Sequence, residues 1–262
     1  MARSPSLKPG DRRVAPEPKP LEPKWGGRRP APPPEPPSEN QGLASERLRA
    51  RMIERLRQKG IADEAVLQAM DQLPRHRFVD PALASRVYED TALPIGYQQT
   101  LSQPFVVARS LSLARAYCRA LGGVQRALEV GTGCGYQAAV MAALFPTVAS
   151  IERIEGLHQD ARRNLAPLAL SNLHLLLGDG LAGCQAMAPF EVMVLAAGLP
   201  DMPRELLRQL SVGGVMVVPL GWPDQRLVVV RRGLDDETGA PVFERFEFDA
   251  VQFVPILKGV QR

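Results

Sequence analysis

The sequence predicts a doubly wound α/β fold, in which a mostly parallel sheet is covered by helices on both faces and ends in antiparallel strands. Three observations lead to this prediction. Short apolar strands alternate with helices in the second half of the chain, alternating glycines join one strand to its helix, and the last two strands have no helix between them. Apolar strands that alternate with helices are typical of parallel sheets buried on both sides.

The first forty residues differ in composition from the rest. They hold twelve prolines and a net charge of +3, out of +4 for the whole chain of 262 residues. Such a segment has too few apolar groups to form a core, which predicts a disordered, proline-rich basic tail over residues 1–42. The remainder, 43–262, is predicted to be one domain. Its nearly neutral charge gives no reason to expect nucleic acid.

The cysteines and the hydropathy of the chain indicate in which cellular compartment the protein is found. Cys118, Cys134 and Cys184 are far apart and form no CxxC pair, which argues against disulfides and against a zinc site. No apolar run approaches the ~18 residues of a membrane span, and the N-terminus lacks a signal-peptide core. We therefore expect a cytoplasmic protein without membrane contact or bound metal, and nothing demands more than a monomer.

The part from 43 to 121 is predicted to be helical and loop-like. A helical period runs from Leu43 to the stop at Gly60, and Asp63 is the predicted N-cap of a short helix that reaches Met70. A loop with buried anchors follows at 73–81, then a polar, turn-rich segment at 88–104 and a helix that extends through Leu121.

The part from 122 to 262 is the predicted α/β core. Its parallel strands are expected at 126–130, 148–151, 173–177, 192–196 and 215–219, with helices at 136–144, 155–168 and 203–210. Two further strands, 226–231 and 242–254, are predicted to form an antiparallel pair that completes the sheet.

The strongest local signal is the glycine run between the first strand and its helix. Gly131, Gly133 and Gly135 alternate with Thr132 and Cys134, so the backbone can turn sharply and a ligand can approach it closely. The helix that follows offers free N–H groups. The dinucleotide fingerprint would require glycine where Tyr136 stands, whereas the GxGxG form matches the nucleotide loop of Rossmann-like methyltransferases.

Two acidic residues follow the next two strands in the same register. Glu152 ends the second strand, where a carboxylate can accept hydrogen bonds from both ribose hydroxyls. Asp179, in Gly178-Asp179-Gly180, could accept from an adenine amino group. Gly131, Thr132, Gly133, Gly135, Glu152, Asp179 and Gly180 are therefore the predicted nucleotide-binding residues.

Over residues 56–260 the chain resembles the protein-L-isoaspartate O-methyltransferase family. Its most specific matches precede the nucleotide loop, and others follow along the chain. They are Arg75-His76-Arg77-Phe78-Val79, Tyr88-Glu89-Asp90-Thr91-Ala92-Leu93-Pro94-Ile95-Gly96, Thr100-Leu101-Ser102-Gln103-Pro104, the stretch from Leu128 to Ala139, Ser150-Ile151-Glu152-Arg153, Gly213-Gly214-Val215-Met216-Val217-Val218-Pro219-Leu220-Gly221 and Val251-Gln252-Phe253-Val254-Pro255-Ile256.

The resemblance implies a reaction and a set of roles. S-adenosyl-L-methionine (SAM) would donate a methyl group to the free carboxylate of isoaspartyl residues in damaged proteins, without a metal, and the ester would then collapse through a succinimide to aspartate. By position, Ser102 would be the family's essential serine, whose hydroxyl either hydrogen-bonds the substrate carboxylate or orders the loop that closes over SAM. Thr100 and Ala196 would also contact substrate, and Gln103 the cofactor. The segment 95–104 and the loop after Leu195 would form the walls of a peptide groove.

Four departures from the family pattern keep alternatives open. Cys134 replaces a usual serine, Gln98 a frequent glycine and Leu181 a common aromatic residue, while Leu195 stands where threonine is usual. The last two leave room for a methyltransferase that acts on a small molecule or RNA. A non-catalytic SAM-binding module is the other alternative. A nicotinamide-dependent dehydrogenase is disfavoured by Tyr136 and by the lack of a hydride-transfer acid or base.

Overall fold

The computed structural model describes residues 39–262, so most of the predicted tail lies outside the described residues. Helix α1 spans Glu39–Gln58 and begins four residues before the predicted start at Leu43. Helix α2 spans Glu64–Gln72. The predicted cap is confirmed, because Asp63 Oδ1 accepts hydrogen bonds from the backbone N–H groups of Ala65 (3.1 Å) and Val66 (3.3 Å).

Between α2 and the sheet, the structure is more regular than the sequence predicted. Two short 3-10 helices, Arg75–Phe78 and Pro81–Leu83, lead into a hairpin of strands β1 (Leu93–Gly96) and β2 (Gln99–Leu101). Helix α3 spans Pro104–Tyr117 and does not reach Leu121 as predicted. The chain turns away because the N–H of Arg119 donates to the carbonyl of Gly213 (2.7 Å).

The remaining strands form one seven-stranded sheet in the order β5-β4-β3-β6-β7-β8-β9. The neighbours from β5 to β7 are parallel, and the β7–β8 and β8–β9 pairs are antiparallel. The predicted fold class is therefore confirmed. The strands are β3 (Arg126–Val130), β4 (Thr147–Glu152), β5 (Leu173–Leu177), β6 (Phe190–Leu195), β7 (Leu210–Leu220), β8 (Gln225–Leu234) and β9 (Pro241–Val251).

The strands present alternate side chains to two apolar cores. One core contains Val192 and Val194 of β6 together with α3, α4 (Tyr136–Leu144) and α5 (Glu155–Leu165). The other contains Met193 and Leu195 and is covered by the short helix α6 (Arg204–Arg208). Both faces of the sheet are therefore buried. Because β3, β4 and β6 are parallel, their carboxyl ends lie at the same edge of the sheet.

Candidate active site

A cleft lies at the carboxyl edge of the sheet. There β4 and β6 lie on opposite sides of β3, so that the strand order reverses at β3. Ligands of open α/β sheets bind at this kind of topological switch point. Val130 of β3, Ile151 of β4 and Ala196 after β6 form part of its wall. The cleft therefore lies where the predicted nucleotide site was expected.

The glycine loop crosses the floor of the cleft and leads into α4. Gly135 has a φ of 92°, and a Cβ there would lie 2.8 Å from the Cδ1 of Leu165. The left-handed backbone therefore requires glycine, and the Leu165 side chain would have to shift to admit a Cβ. Gly133 also has a positive φ of 56°. The turn leaves the N-terminal N–H groups of α4 directed toward this end of the sheet, which suits a polar or anionic ligand group.

The Glu152 carboxylate lines the cleft beside the glycine loop and is only 5% exposed. Its Oε2 accepts from the N–H of Gly133 (2.8 Å), and its Oε1 accepts from the N–H of Ile154 (2.9 Å). A carboxylate has about four acceptor positions, so two remain for hydroxyl donors of a ligand. Glu152 thus fixes the glycine loop and still offers the acceptors that a ribose diol requires.

Asp179 is engaged by a more distant part of the chain. Its Oδ1 caps the short 3-10 helix Gly180–Ala182 by accepting from the N–H of Leu181 (2.9 Å), and its Oδ2 accepts from the N–H of Gly259 (2.8 Å). Gly180 lines the cleft, whereas Asp179 does not. The hydrogen bond from Asp179 to an adenine stays a prediction.

The C-terminal segment 255–261 runs across the same edge of the sheet. Its Pro255, Ile256 and Leu257 line the cleft. The backbone of Gln261 exchanges hydrogen bonds with that of Arg153 and Glu155 (2.8 and 2.9 Å). The segment therefore forms one wall, which the sequence indicated only as a terminal strand.

Ser102 lies between β2 and α3 and lines the cleft. Its carbonyl accepts from Nη2 of the buried Arg75 (2.5 Å). Asp90 holds the start of α3 by accepting from the N–H of Phe105 (2.9 Å) and by pairing with Lys59 (2.5 Å). Within residues 39–262 the Ser102 hydroxyl has no hydrogen-bond partner, so it can serve a bound substrate.

The β1–β2 hairpin covers the cleft opposite the sheet. The Cδ1 of Ile95 would lie 3.1 Å from a Cβ at Gly133, so the hairpin rests on the glycine loop. At its tip the ring of Tyr97 packs on Gly156 at the start of α5, where any Cβ would clash with the phenol. The sequence contained this signal only as an unexplained glycine in the first turn of a helix.

The hairpin tip carries backbone strain that one substitution should relieve. Tyr97 and Gln98 both have positive φ, 51° and 59°, in the two-residue turn. A left-handed conformation costs a residue with a Cβ about 1–2 kcal/mol, whereas glycine adopts it freely. We expect Gln98→Gly to raise the free energy of unfolding by about 0.5–1 kcal/mol in urea titrations, after the entropy that glycine adds to the unfolded chain.

The control for this substitution is Gln99→Gly, one residue further along. Gln99 is in strand β2 and its φ is not in the left-handed region. Glycine there should lower the free energy of unfolding by about 0.5–1 kcal/mol. Equal effects of both substitutions would contradict the assignment of strain to residue 98.

A buried polar chain lies beneath the glycine loop. The hydroxyl of Thr132, which lines the cleft, is 2.6 Å from that of Ser150, and Ser150 donates to Oε2 of Glu129. Glu129 is fully buried in β3, and burial raises the pKa of its carboxyl to about 8, against the lowering effect of the Ser150 hydrogen bond. A charged residue inside an apolar strand is the signal that could have indicated this residue from the sequence.

This raised pKa predicts a pH-dependent stability. At pH 7 the folded chain keeps the Glu129 proton, while the unfolded chain, with a pKa near 4.5, has lost it. Stability should therefore fall as the pH rises from 4.5 to about 8, by up to about 1.4 kcal/mol per unit from this group. Glu129→Gln has no proton to lose. Its free energy of unfolding should therefore increase relative to that of wild type as the pH rises over that range.

The measurement is urea unfolding of both proteins at about pH 6, 7 and 8. The difference between the two free energies of unfolding isolates Glu129, since burial also lowers the pKa of His76 and of His158, and these residues contribute equally to both proteins. A difference that does not change with pH would show that Glu129 is ionised when folded.

The structure gathers most, but not all, of the predicted site residues. Those that line the cleft are Thr100, Ser102, Gly131, Thr132, Gly133, Glu152, Gly180 and Ala196. Gln103, Gly135 and Asp179 do not line it. Of the four departures from the family pattern, only Cys134 lies in the wall, where burial raises the pKa of its thiol to about 11.

Among residues 39–262, no three His, Cys, Asp or Glu side chains are grouped so that they could hold a metal ion. None of the helices in that range is long and apolar enough to span a membrane.

A switch-point cleft, a left-handed glycine loop and a buried carboxylate at the end of the next strand define a SAM-dependent methyltransferase of the Rossmann-like class. The family model described as Protein-L-isoaspartate(D-aspartate) O-methyltransferase matches residues 47–261. The chain belongs to this family and is a transferase.

Similar proteins carry the same description. A protein-L-isoaspartate O-methyltransferase of Bordetella avium (strain 197N) is 52% identical over 225 residues, covering 86% of this chain and 82% of the relative. One of Aromatoleum aromaticum is 51% identical over 220 residues, covering 84% and 96%.

Two solved structures share the fold. A protein-L-isoaspartate O-methyltransferase is 26% identical with a TM-score of 0.68, covering 79% of this chain and 65% of its own. A Plasmodium falciparum protein described as a putative protein-L-isoaspartate O-methyltransferase, solved with S-adenosyl-L-homocysteine, is 22% identical with a TM-score of 0.67, covering 80% and 98%.

Proposed function

We propose that this chain transfers the methyl group of SAM to the free carboxylate of L-isoaspartyl residues in damaged proteins. The observation that carries the proposal is the cleft itself. One of its walls holds the glycine loop and Glu152, and another holds the unpaired Ser102 hydroxyl. These are the groups needed for a nucleotide-linked donor and for a carboxylate acceptor, and the family match gives the acceptor its identity.

The donor set fits SAM. Glu152 would accept from the ribose hydroxyls, and the N–H groups at the start of α4 would face the polar end of the molecule. Gly131 and Gly133 keep side chains away from the floor of the cleft. When bound, the sulfonium supplies an activated methyl group, which leaves behind a neutral thioether.

The acceptor requires little chemistry from the protein. An isoaspartyl carboxylate has a reference pKa of about 3.5–4 and is ionised at neutral pH, so no general base is needed. Ser102, Thr100 and Ala196 line the cleft, and in this proposal the Ser102 hydroxyl donates to that carboxylate. The hairpin with Ile95 and Tyr97 covers the cleft and limits water. Alignment and water exclusion are the contributions left to these residues.

The product is a methyl ester. A backbone nitrogen of the substrate displaces methanol from this ester to form a succinimide without further help from the enzyme, and water opens the succinimide in part to normal aspartate, so repair begins here. Two finer points belong to the same proposal. The chain acts in the cytoplasm, which suits its three free cysteines, and it acts as a monomer on proteins, without nucleic acid or membrane. Sedimentation and cell fractionation would test these points.

The experiment is methyl transfer from labelled SAM to a short peptide that contains isoaspartate, with the same peptide containing aspartate as the control. We expect base-labile label on the first peptide only. Label on neither peptide, with SAM binding intact by calorimetry, would reject isoaspartate as the acceptor and favour a small molecule or RNA. Label on both would reject the specificity.

A further inference from the structure

The most unusual charged group outside the cleft is Arg75. Its side chain is fully buried, and it forms no ion pair with any carboxylate in residues 39–262. Burying a guanidinium without a counter-charge is costly unless its N–H groups are satisfied by other acceptors. Two of its three side-chain nitrogens, Nε and Nη2, have such an acceptor, whereas Nη1 has no hydrogen-bond partner among residues 39–262.

The contacts of Arg75 reach three separate parts of the chain. Its Nε donates to the carbonyl of Val87 (2.9 Å), just before the hairpin, and its Nη2 donates to the carbonyl of Ser102 (2.5 Å). The guanidinium carbon lies 4.6 Å from the ring centroid of Tyr136, the first residue of α4. Phe78, from the same 3-10 helix, packs edge-on against that ring at 5.4 Å.

These three parts belong to the two sides of the cleft. Tyr136 directly follows the glycine loop, on the side that we assign to SAM. Ser102 belongs to the segment that we assign to the acceptor. One rigid, planar group thus sets the distance between the two sides, and it holds Ser102 by its backbone while the hydroxyl stays free.

We infer that Arg75 is a positioning residue, which fixes the Ser102 segment relative to the SAM-binding loop so that the acceptor carboxylate is aligned with the methyl group of SAM. This inference rests on the proposed function. Lysine cannot replace arginine in this role, because a single ammonium cannot direct N–H groups at two carbonyls and also stack on a ring. Misplacement of a reacting group by about 1 Å can cost about 100-fold in rate.

The test compares Arg75→Lys with Arg77→Lys, an identical change at an exposed position of the same 3-10 helix. Hydrogen–deuterium exchange of the segment 99–105 is measured first, with 190–220 as an internal reference. We expect Arg75→Lys to speed exchange in 99–105 by about 10-fold and to leave the reference unchanged. Arg77→Lys should behave as wild type.

Kinetics with the isoaspartyl peptide follow, at a temperature where circular dichroism shows each protein folded. We expect kcat of Arg75→Lys to fall by about 10- to 100-fold, while the Kd for SAM changes by less than about threefold. A lower Tm with unchanged kcat and unchanged exchange would make Arg75 purely structural and would overturn the inference.

Arg75→Gln, which is neutral and keeps one donor, is made in parallel in case a buried ammonium prevents folding, and the same results are expected of it. Failure of both variants to fold would assign Arg75 to stability and overturn the inference. If wild type methylates no isoaspartyl peptide, the proposed function fails, and the exchange data still decide the role of Arg75.

Discussion

Ser102→Ala should lower kcat for the isoaspartyl peptide by about 100-fold, because a carboxylate that is no longer aligned can lie about 1 Å from its reactive position, and a misplacement of that size costs about this much. The SAM affinity should stay within about twofold of wild type by calorimetry, because the glycine loop and Glu152 are untouched. The backbone should also hold its position, since Arg75 contacts the carbonyl of Ser102 and not its side chain.

The control is Ser85→Ala, the same change at an exposed residue that does not line the cleft. It should leave kcat, KM and the SAM affinity unaltered. Full activity of Ser102→Ala would show that the hydroxyl has no part in the reaction. A parallel loss of SAM affinity would move Ser102 from the acceptor side to the donor side.

Glu152→Ala should weaken SAM binding by at least about 100-fold. A hydrogen bond to a charged acceptor contributes about 1.5–3 kcal/mol, and two ribose hydroxyls would lose such an acceptor. The change also frees the N–H of Gly133 and that of Ile154, so the loop would no longer be held in its binding geometry. Calorimetry with S-adenosyl-L-homocysteine gives the Kd without turnover.

Two variants separate these contributions. Glu155→Ala removes a carboxylate from the start of the following helix, where it does not line the cleft, and should leave the Kd unchanged. Glu152→Gln keeps an acceptor but not the charge, and its Kd should lie between those of wild type and Glu152→Ala. An unchanged affinity of Glu152→Ala for S-adenosyl-L-homocysteine would contradict the assignment of Glu152 to the ribose hydroxyls.

The sequence predicted best where local signals and tertiary packing agree. Helix α4 begins and ends where predicted. Gly135 directly precedes its first residue, and most of the apolar residues of the helix are buried. The hairpin at 93–101 was missed for the opposite reason. Its tip, Tyr97-Gln98, lacks the Asn-Gly type of signal that two-residue turns usually carry.

The candidate site could be predicted only as far as sequence neighbours define it. The glycine loop and Glu152 follow from strand ends that lie close together in the chain. The partner of Asp179 is Gly259, eighty positions further on, and nothing local indicates that contact. The role of Arg75 was equally hidden, because its three contacts come from three distant segments.

The segment 255–261 has a consequence for how binding could be observed. Leu257 lines the cleft and Gly259 is bonded to Asp179, while Lys258 between them is exposed. A dye on that side chain would stand at the mouth of the binding site without occupying it. The segment is thus a natural attachment point for an optical sensor that reports, in real time, when the enzyme is loaded.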